Sequence, residues 1–230
     1  MMRGARFTAV AMVALLALAV PGLAHAELVL SELIVELRPG AQVRADIEVW
    51  NNSPERSFVS IEPREIVDPS LVTQSVRREP DPEKLGLLVS PARMILEPGQ
   101  RKLVRVASLR ADPDREHVYR VTVKPVVGGL EAADSGLKII LGYDVLVLVR
   151  PTRVAPAVAA VRKGKSLIFT NAGNVSVELV DGRQCSTRSQ CVPLPGKRLY
   201  AGASWTTELP LDAPAEYTLK SPGRNDRKTY

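Results

Sequence analysis

Hydrophobic and polar positions alternate along much of this chain, and the alternation predicts strands. Val43, Ala45, Ile47 and Val49 alternate with Arg44, Asp46 and Glu48, the period-2 pattern of a half-buried antiparallel strand. A strand is predicted over 28–37, closed by Arg38-Pro39-Gly40, and another over 57–61 after the turn Asn51-Asn52-Ser53-Pro54. Segments 87–89 and 94–96 flank Ser90-Pro91, and Glu97-Pro98-Gly99-Gln100 turns the chain into 103–107. Val118, Val121 and Val123 mark a further strand that ends at Pro125. No stretch shows capped helical periodicity, so the succession of short strands and turns indicates β-sandwich architecture. Residues 67–86 and 127–136 read as loops, each long enough to need a reason beyond connection.

Residues 137–149 break the rhythm. They form one apolar run of 13 residues, roughly 43 Å at ~3.3 Å per residue, where about 5–6 residues is usual for a strand. One face carries Leu137, Ile139, Leu141, Tyr143, Val145, Val147 and Val149; the other carries Lys138, Ile140, Gly142, Asp144, Leu146, Leu148 and Arg150. The second half is apolar on both faces, as in a strand buried between layers. The first half is amphipathic. It reads either as part of an ordinary core strand or as an edge offered to a partner. After Arg150-Pro151-Thr152-Arg153 a smaller β unit is predicted from 159–161, 166–170, 175–180, 205–209 and 217–219, with 221–230 as a loose polar tail. The expected domains are 27–150 and 151–230.

The first 26 residues change the picture because they do not belong to the fold. Arg3 and Arg6 precede an apolar run from Phe7 to Val20, and Ala24-His25-Ala26 has the small-residue spacing of a processing site. Cleavage after Ala26 and export are the expectation; an uncleaved anchor is the alternative. Losing Arg3 and Arg6 lowers the net charge from +6 to +4, a solubility and steering property rather than the mark of a nucleic-acid binder. Cys185 and Cys191, six positions apart in an exported chain, read as a local disulfide. The alternative, free thiols or half a metal site, has no nearby His or further Cys to complete it.

Candidate chemistry is sparse. Beyond residue 26 the chain has one histidine, His117, within a strand-like segment, and no G-x-S-x-G, H-E-x-x-H or P-loop. No catalytic residue, metal site or cofactor is predicted, and a binding protein is expected rather than an enzyme. Asn51 and Asn174 each begin N-x-S, a short pattern common by chance.

The order and spacing of several segments resemble the periplasmic chaperones of the chaperone–usher pilus pathway. These are Leu88-Val89-Ser90-Pro91-Ala92-Arg93, Glu97-Pro98-Gly99-Gln100, Leu103-Val104-Arg105-Val106, Arg115-Glu116, 119–125, the long strand ending in Arg150-Pro151, and 170–174. The resemblance implies an all-β chain of two immunoglobulin-like sandwiches arranged at an angle. It also implies partners, namely pilus or fimbrial subunits and an outer-membrane usher. A pilin lacks its last strand, and the chaperone's seventh strand fills the apolar groove by β-strand addition. The donor side chains fall on Leu137, Ile139 and Leu141, and the interdomain ion pair on Glu116 and Arg150. The alternative for that pair is two solvated surface charges.

One departure stands out. The family's well-studied members hold the subunit's terminal carboxylate with an Arg on the first strand and a Lys on the seventh. Here residues 27–37 have no basic residue, and Leu146 stands where the Lys is expected. Arg44, Arg120, Arg150 and Arg153 are the substitute candidates, and the departure suggests a branch near the alternate chaperones of CS1-like pili. A structural or adhesive component of a surface fibre is the competing function.

Overall fold

Two separate apolar cores organise the chain, and each is closed by two sheets. The computed structural model describes residues 28–111, 113–126, 141–187 and 190–230. The N-terminal part holds β1 (Leu28–Leu30), β2 (Ile34–Leu37), β3 (Arg44–Asn51), β4 (Ser57–Ile66), β5 (Val76–Arg77), α1 (Pro82–Leu85), β6 (Leu87–Ser90), β7 (Arg93–Leu96), β8 (Arg101–Ser108), β9 (His117–Pro125) and β10 (Tyr143–Val149). One sheet runs β1-β3-β8-β6; the other runs β2-β10-β9-β4, with β5 and β7 both pairing β4. The alternation seen in the sequence decides which side chains meet. Ile47, Val49, Val104 and Val106 from the first sheet pack with Val59, Ile61, Val121, Val123, Val145, Val147 and Val149 from the second. Each such side chain taken fully out of water contributes about 1.5–3 kcal/mol.

The C-terminal part holds β11 (Val158–Lys163), β12 (Ser166–Asn171), β13 (Val177–Thr187), β14 (Gln190–Pro193), β15 (Lys197–Leu199), β16 (Ser204–Glu208), β17 (Ala215–Ser221) and β18 (Arg224–Thr229). Its sheets run β11-β12-β16 and β14-β13-β17-β18, with β15 pairing β13. Phe169, Leu179 and Tyr217 are fully buried at its centre, with Trp205 stacked on Phe169 at 5.8 Å. Cys185 and Cys191 face each other across the β13–β14 ladder and are joined, S–S 2.02 Å.

The structure corrects five expectations. The predicted strand 28–37 is two strands in different sheets. Between them the Ser31 N–H donates to Glu48 O at 3.0 Å and the Ser31 hydroxyl accepts the Glu48 N–H at 3.0 Å, after which β2 joins β10 in parallel. The predicted strand 137–149 begins, among the described residues, only at Tyr143. Leu141 and Gly142 lie outside it: Pro125, at the end of β9, has no N–H to donate, and Gly142 offers no side chain to pack. Residues 127–140, including Leu137 and Ile139, lie outside the described residues, as does the expected processing site after Ala26.

The predicted loop 67–86 contains β5 and the single turn α1. Asp81 caps that turn by accepting the Glu83 N–H, Pro82 starts it, and Gly86 ends it at φ +83°. Four residues are too few for periodicity to reveal. The predicted loose tail is β18, which folds back on β17 through the turn Pro222-Gly223, and Tyr230 lays its ring edge-on to Phe169 at 5.2 Å. Finally, β4 extends to Ile66, five residues past its predicted end.

Candidate functional site

The end of β10 leads directly into the junction between the sandwiches, and Arg150 is the first residue past it. Its backbone N–H donates to Leu37 O at 2.8 Å, which aims the side chain at the second sandwich. Arg150 is almost fully buried, at 3% side-chain exposure, and Glu116 at 2%. The guanidinium Nη1 donates to Glu116 Oε2 and to Ser176 Oγ at 3.2 Å, and Nη2 donates to Glu36 Oε1 at 2.6 Å. Glu116 Oε2 also accepts the Ser176 N–H at 3.2 Å and its hydroxyl at 3.1 Å. Two charges of the first sandwich thus grip a serine of the second. Burial works to raise the Glu36 carboxyl, but its hydrogen bonds to and the charges of Arg150 and Arg38 outweigh burial and hold it below the ordinary value.

A second feature lies on the other face of the same strands. Leu146 and Leu148 of β10, Val118 of β9 and Ile66 of β4 form a separate apolar patch, and Tyr200 of the second sandwich packs against it. This explains why β10 is apolar on both faces: Val145, Val147 and Val149 fill the core while Leu146 and Leu148 meet Tyr200. Burial pushes the Tyr200 phenol up, with Arg120 and Arg198 nearby opposing the shift.

Arg120 sits directly across the ladder from Leu146, so it shares the face that turns to Tyr200. Next along, Arg64 grips Asp144 through two bonds of 2.8 and 2.9 Å, and Thr122 donates to the same carboxylate at 3.0 Å. Arg120 reaches Asp144 only loosely, with Nε 3.9 Å from the carboxylate and Nη1 3.4 Å from the backbone oxygen. Its guanidinium therefore keeps donors available.

The other predicted residues are spread out. Arg44 lies at the exposed start of β3, in the opposite sheet, and Arg153 lies exposed in the connection to β11. Leu141 is 65% exposed just before β10. His117 joins a half-buried polar cluster, its Nδ1 2.9 Å from Glu65 Oε1, with Arg110 on the same oxygen at 3.1 Å and Arg77 on the other. The site residues that sequence reasoning missed are Glu36, Asn174, Ser176, Arg198 and Tyr200. In the sequence Asn174 stands out only as the start of N-x-S and as the last residue of the resembling stretch 170–174, and the others carry no periodic or motif signal.

Comparison with known proteins gives three findings. Residues 39–155, just over half of the chain, match the profile described as "Pili and flagellar-assembly chaperone, PapD N-terminal domain". A CS1 fimbrial protein of Escherichia coli is 27% identical over 203 residues, covering 83% of this chain and 84% of that protein. Among solved structures, the class 5 fimbriae chaperone CfaA superposes with a TM-score of 0.64 at 21% identity, covering 88% of this chain and 98% of that one. A chain in the complex of Salmonella enterica SafA pilin with the SafB chaperone does so at 0.60 and 18% identity, covering 90% and 97%. At such identities the structural likeness establishes the fold: two immunoglobulin-like sandwiches.

Proposed function

This chain belongs to the family of pili and flagellar-assembly chaperones, and on that premise we propose that it binds fimbrial subunits by donating a strand and delivers them to an outer-membrane usher. The family works in the periplasm, and no helix among the described residues is long and apolar enough to cross a membrane. Export with cleavage after Ala26 belongs to the same proposal. So does the absence of catalysis, a chaperone's work being binding.

The observation that carries the reading is Leu141. It is apolar, 65% exposed and outside the ladder, yet only Gly142, Tyr143 and Asp144 separate it from the stretch 145–149 of β10, which is buried on both faces. Leu137, Ile139 and Leu141 are the proposed donor residues, entering the groove of an incomplete subunit sandwich. Three such side chains buried there contribute on the order of 5–9 kcal/mol before association costs. The subunit's terminal carboxylate goes to Arg120, whose donors are weakly engaged and whose neighbour Leu146 offers an apolar wall. Arg150 is a poor anchor, since Glu36, Glu116 and Ser176 already occupy it. The pair Glu116–Arg150 instead holds the sandwiches together, and 27–150 and 151–230 act as the two domains. Co-expression with a cognate fimbrial subunit should yield a 1:1 periplasmic complex. Ile139→Asp with Leu141→Asp should abolish it; an intact complex would exclude strand donation.

A further inference from the structure

Asn174 lies where the three segments that join the sandwiches converge. Its carboxamide donates to the backbone oxygens of Asp114 at 3.0 Å and Arg153 at 2.7 Å, and accepts the Ala155 N–H at 2.8 Å. Its own backbone oxygen accepts the Glu116 N–H at 2.9 Å, and its N–H donates to Ala155 O at 3.2 Å. Asp114 and Glu116 lead into β9 of the first sandwich, Arg153 and Ala155 form the connection, and Asn174 lies between β12 and β13 of the second. One side chain therefore bonds to both other segments at once.

The neighbouring glycine makes the approach possible. A Cβ on Gly173 would lie 2.5 Å from Ala155 O and 2.6 Å from Ala157 N, both backbone atoms of the connection that could not move aside independently. Glu116 and Arg150 both belong to the first sandwich, and among the described residues their side chains bond to the second at a single residue, Ser176. The amide of Asn174 is planar and meets three fixed backbone atoms, so it defines direction as well as contact. An aspartate there has no proton to donate at neutral pH and would set its charge against two carbonyl oxygens. A glutamine would carry the amide one methylene too far.

We propose that Asn174 is a positioning residue: seated by Gly173, it fixes the orientation of the second sandwich on the first and so the seating of Tyr200 on the face that carries Leu146 and Arg120. The orientation is a property of the free protein; its consequence for subunit capture rests on the chaperone reading above.

Residual dipolar couplings of the isotopically labelled mature chain test the proposal. In the wild type a single alignment tensor should fit both sandwiches. In Asn174→Ala, and in the isosteric Asn174→Asp, the second sandwich should need its own reoriented tensor of reduced magnitude, while amide shifts remote from the junction stay unchanged. Subunit affinity should fall on the order of tenfold in both variants. A single shared tensor in both variants, or two tensors already in the wild type, would overturn it. Failure of the wild type to bind any subunit would sink the chaperone reading and leave the orientation result standing.

Discussion

Glu116 and Arg150 form an ion pair in which neither side chain exceeds 3% exposure, at the junction where one sandwich hands over to the other. A pair so deeply buried contributes little net stability over an apolar replacement, but removing one partner strands the other charge. Arg150→Met should lower unfolding free energy by about 3–5 kcal/mol, read by urea denaturation. The double variant with Glu116→Gln should recover part of that loss, since the stranded carboxylate is gone.

Acid sensitivity follows from Glu65. Burial would raise its carboxyl, but the His117 hydrogen bond and the Arg110 and Arg77 charges outweigh burial and hold it below the ordinary 4.5. A depressed folded value means the carboxylate stabilises the fold in full above the unfolded value, and the contribution is lost as pH falls through the folded one. Wild-type stability should therefore decline as pH drops below about 4.5. Glu65→Gln should be less stable than wild type at pH 7 yet decline less steeply below that point, in denaturation midpoints taken across the range.

Arg120 separates binding from stability. Its guanidinium is weakly engaged, so Arg120→Ala should leave the melting temperature within a few degrees. A charge-assisted bond to a subunit carboxylate is worth about 1.5–3 kcal/mol, so affinity should fall roughly tenfold to a hundredfold. Titration calorimetry with an intact and a C-terminally amidated subunit would show the same loss from either side.

The disulfide should act locally. Cys185 and Cys191 close a ring across six positions in the β13–β14 hairpin, and loop entropy puts its contribution at about 2 kcal/mol. Cys185→Ser with Cys191→Ser should lower stability by that amount and leave subunit affinity unchanged.

How much of this was legible depended on whether side chains or backbone carried the structure. The alternation at Ala45, Ile47 and Val49 named the core face of β3 correctly, because burial there is decided by the side chains themselves. The two-faced apolar run of β10 was equally visible, but Tyr200, the reason for its second face, arrives from the other sandwich and leaves no local trace. The strand β18 was hidden because it is an edge: Arg224, Arg227 and Lys228 look like a solvated tail, while the pairing with β17 is made by backbone. The candidate Glu116–Arg150 came from resemblance, whereas Asn174 and Ser176 act through directions that only a fold defines.

Strand donation is tested most directly by amide hydrogen exchange across residues 137–142, compared between the free chain and its complex with a fimbrial subunit. Binding should raise protection throughout this segment, its amides pairing with the subunit strands that flank it, while β11 to β18 change little. A stable complex in which these amides exchange as they do in the free chain would contradict it.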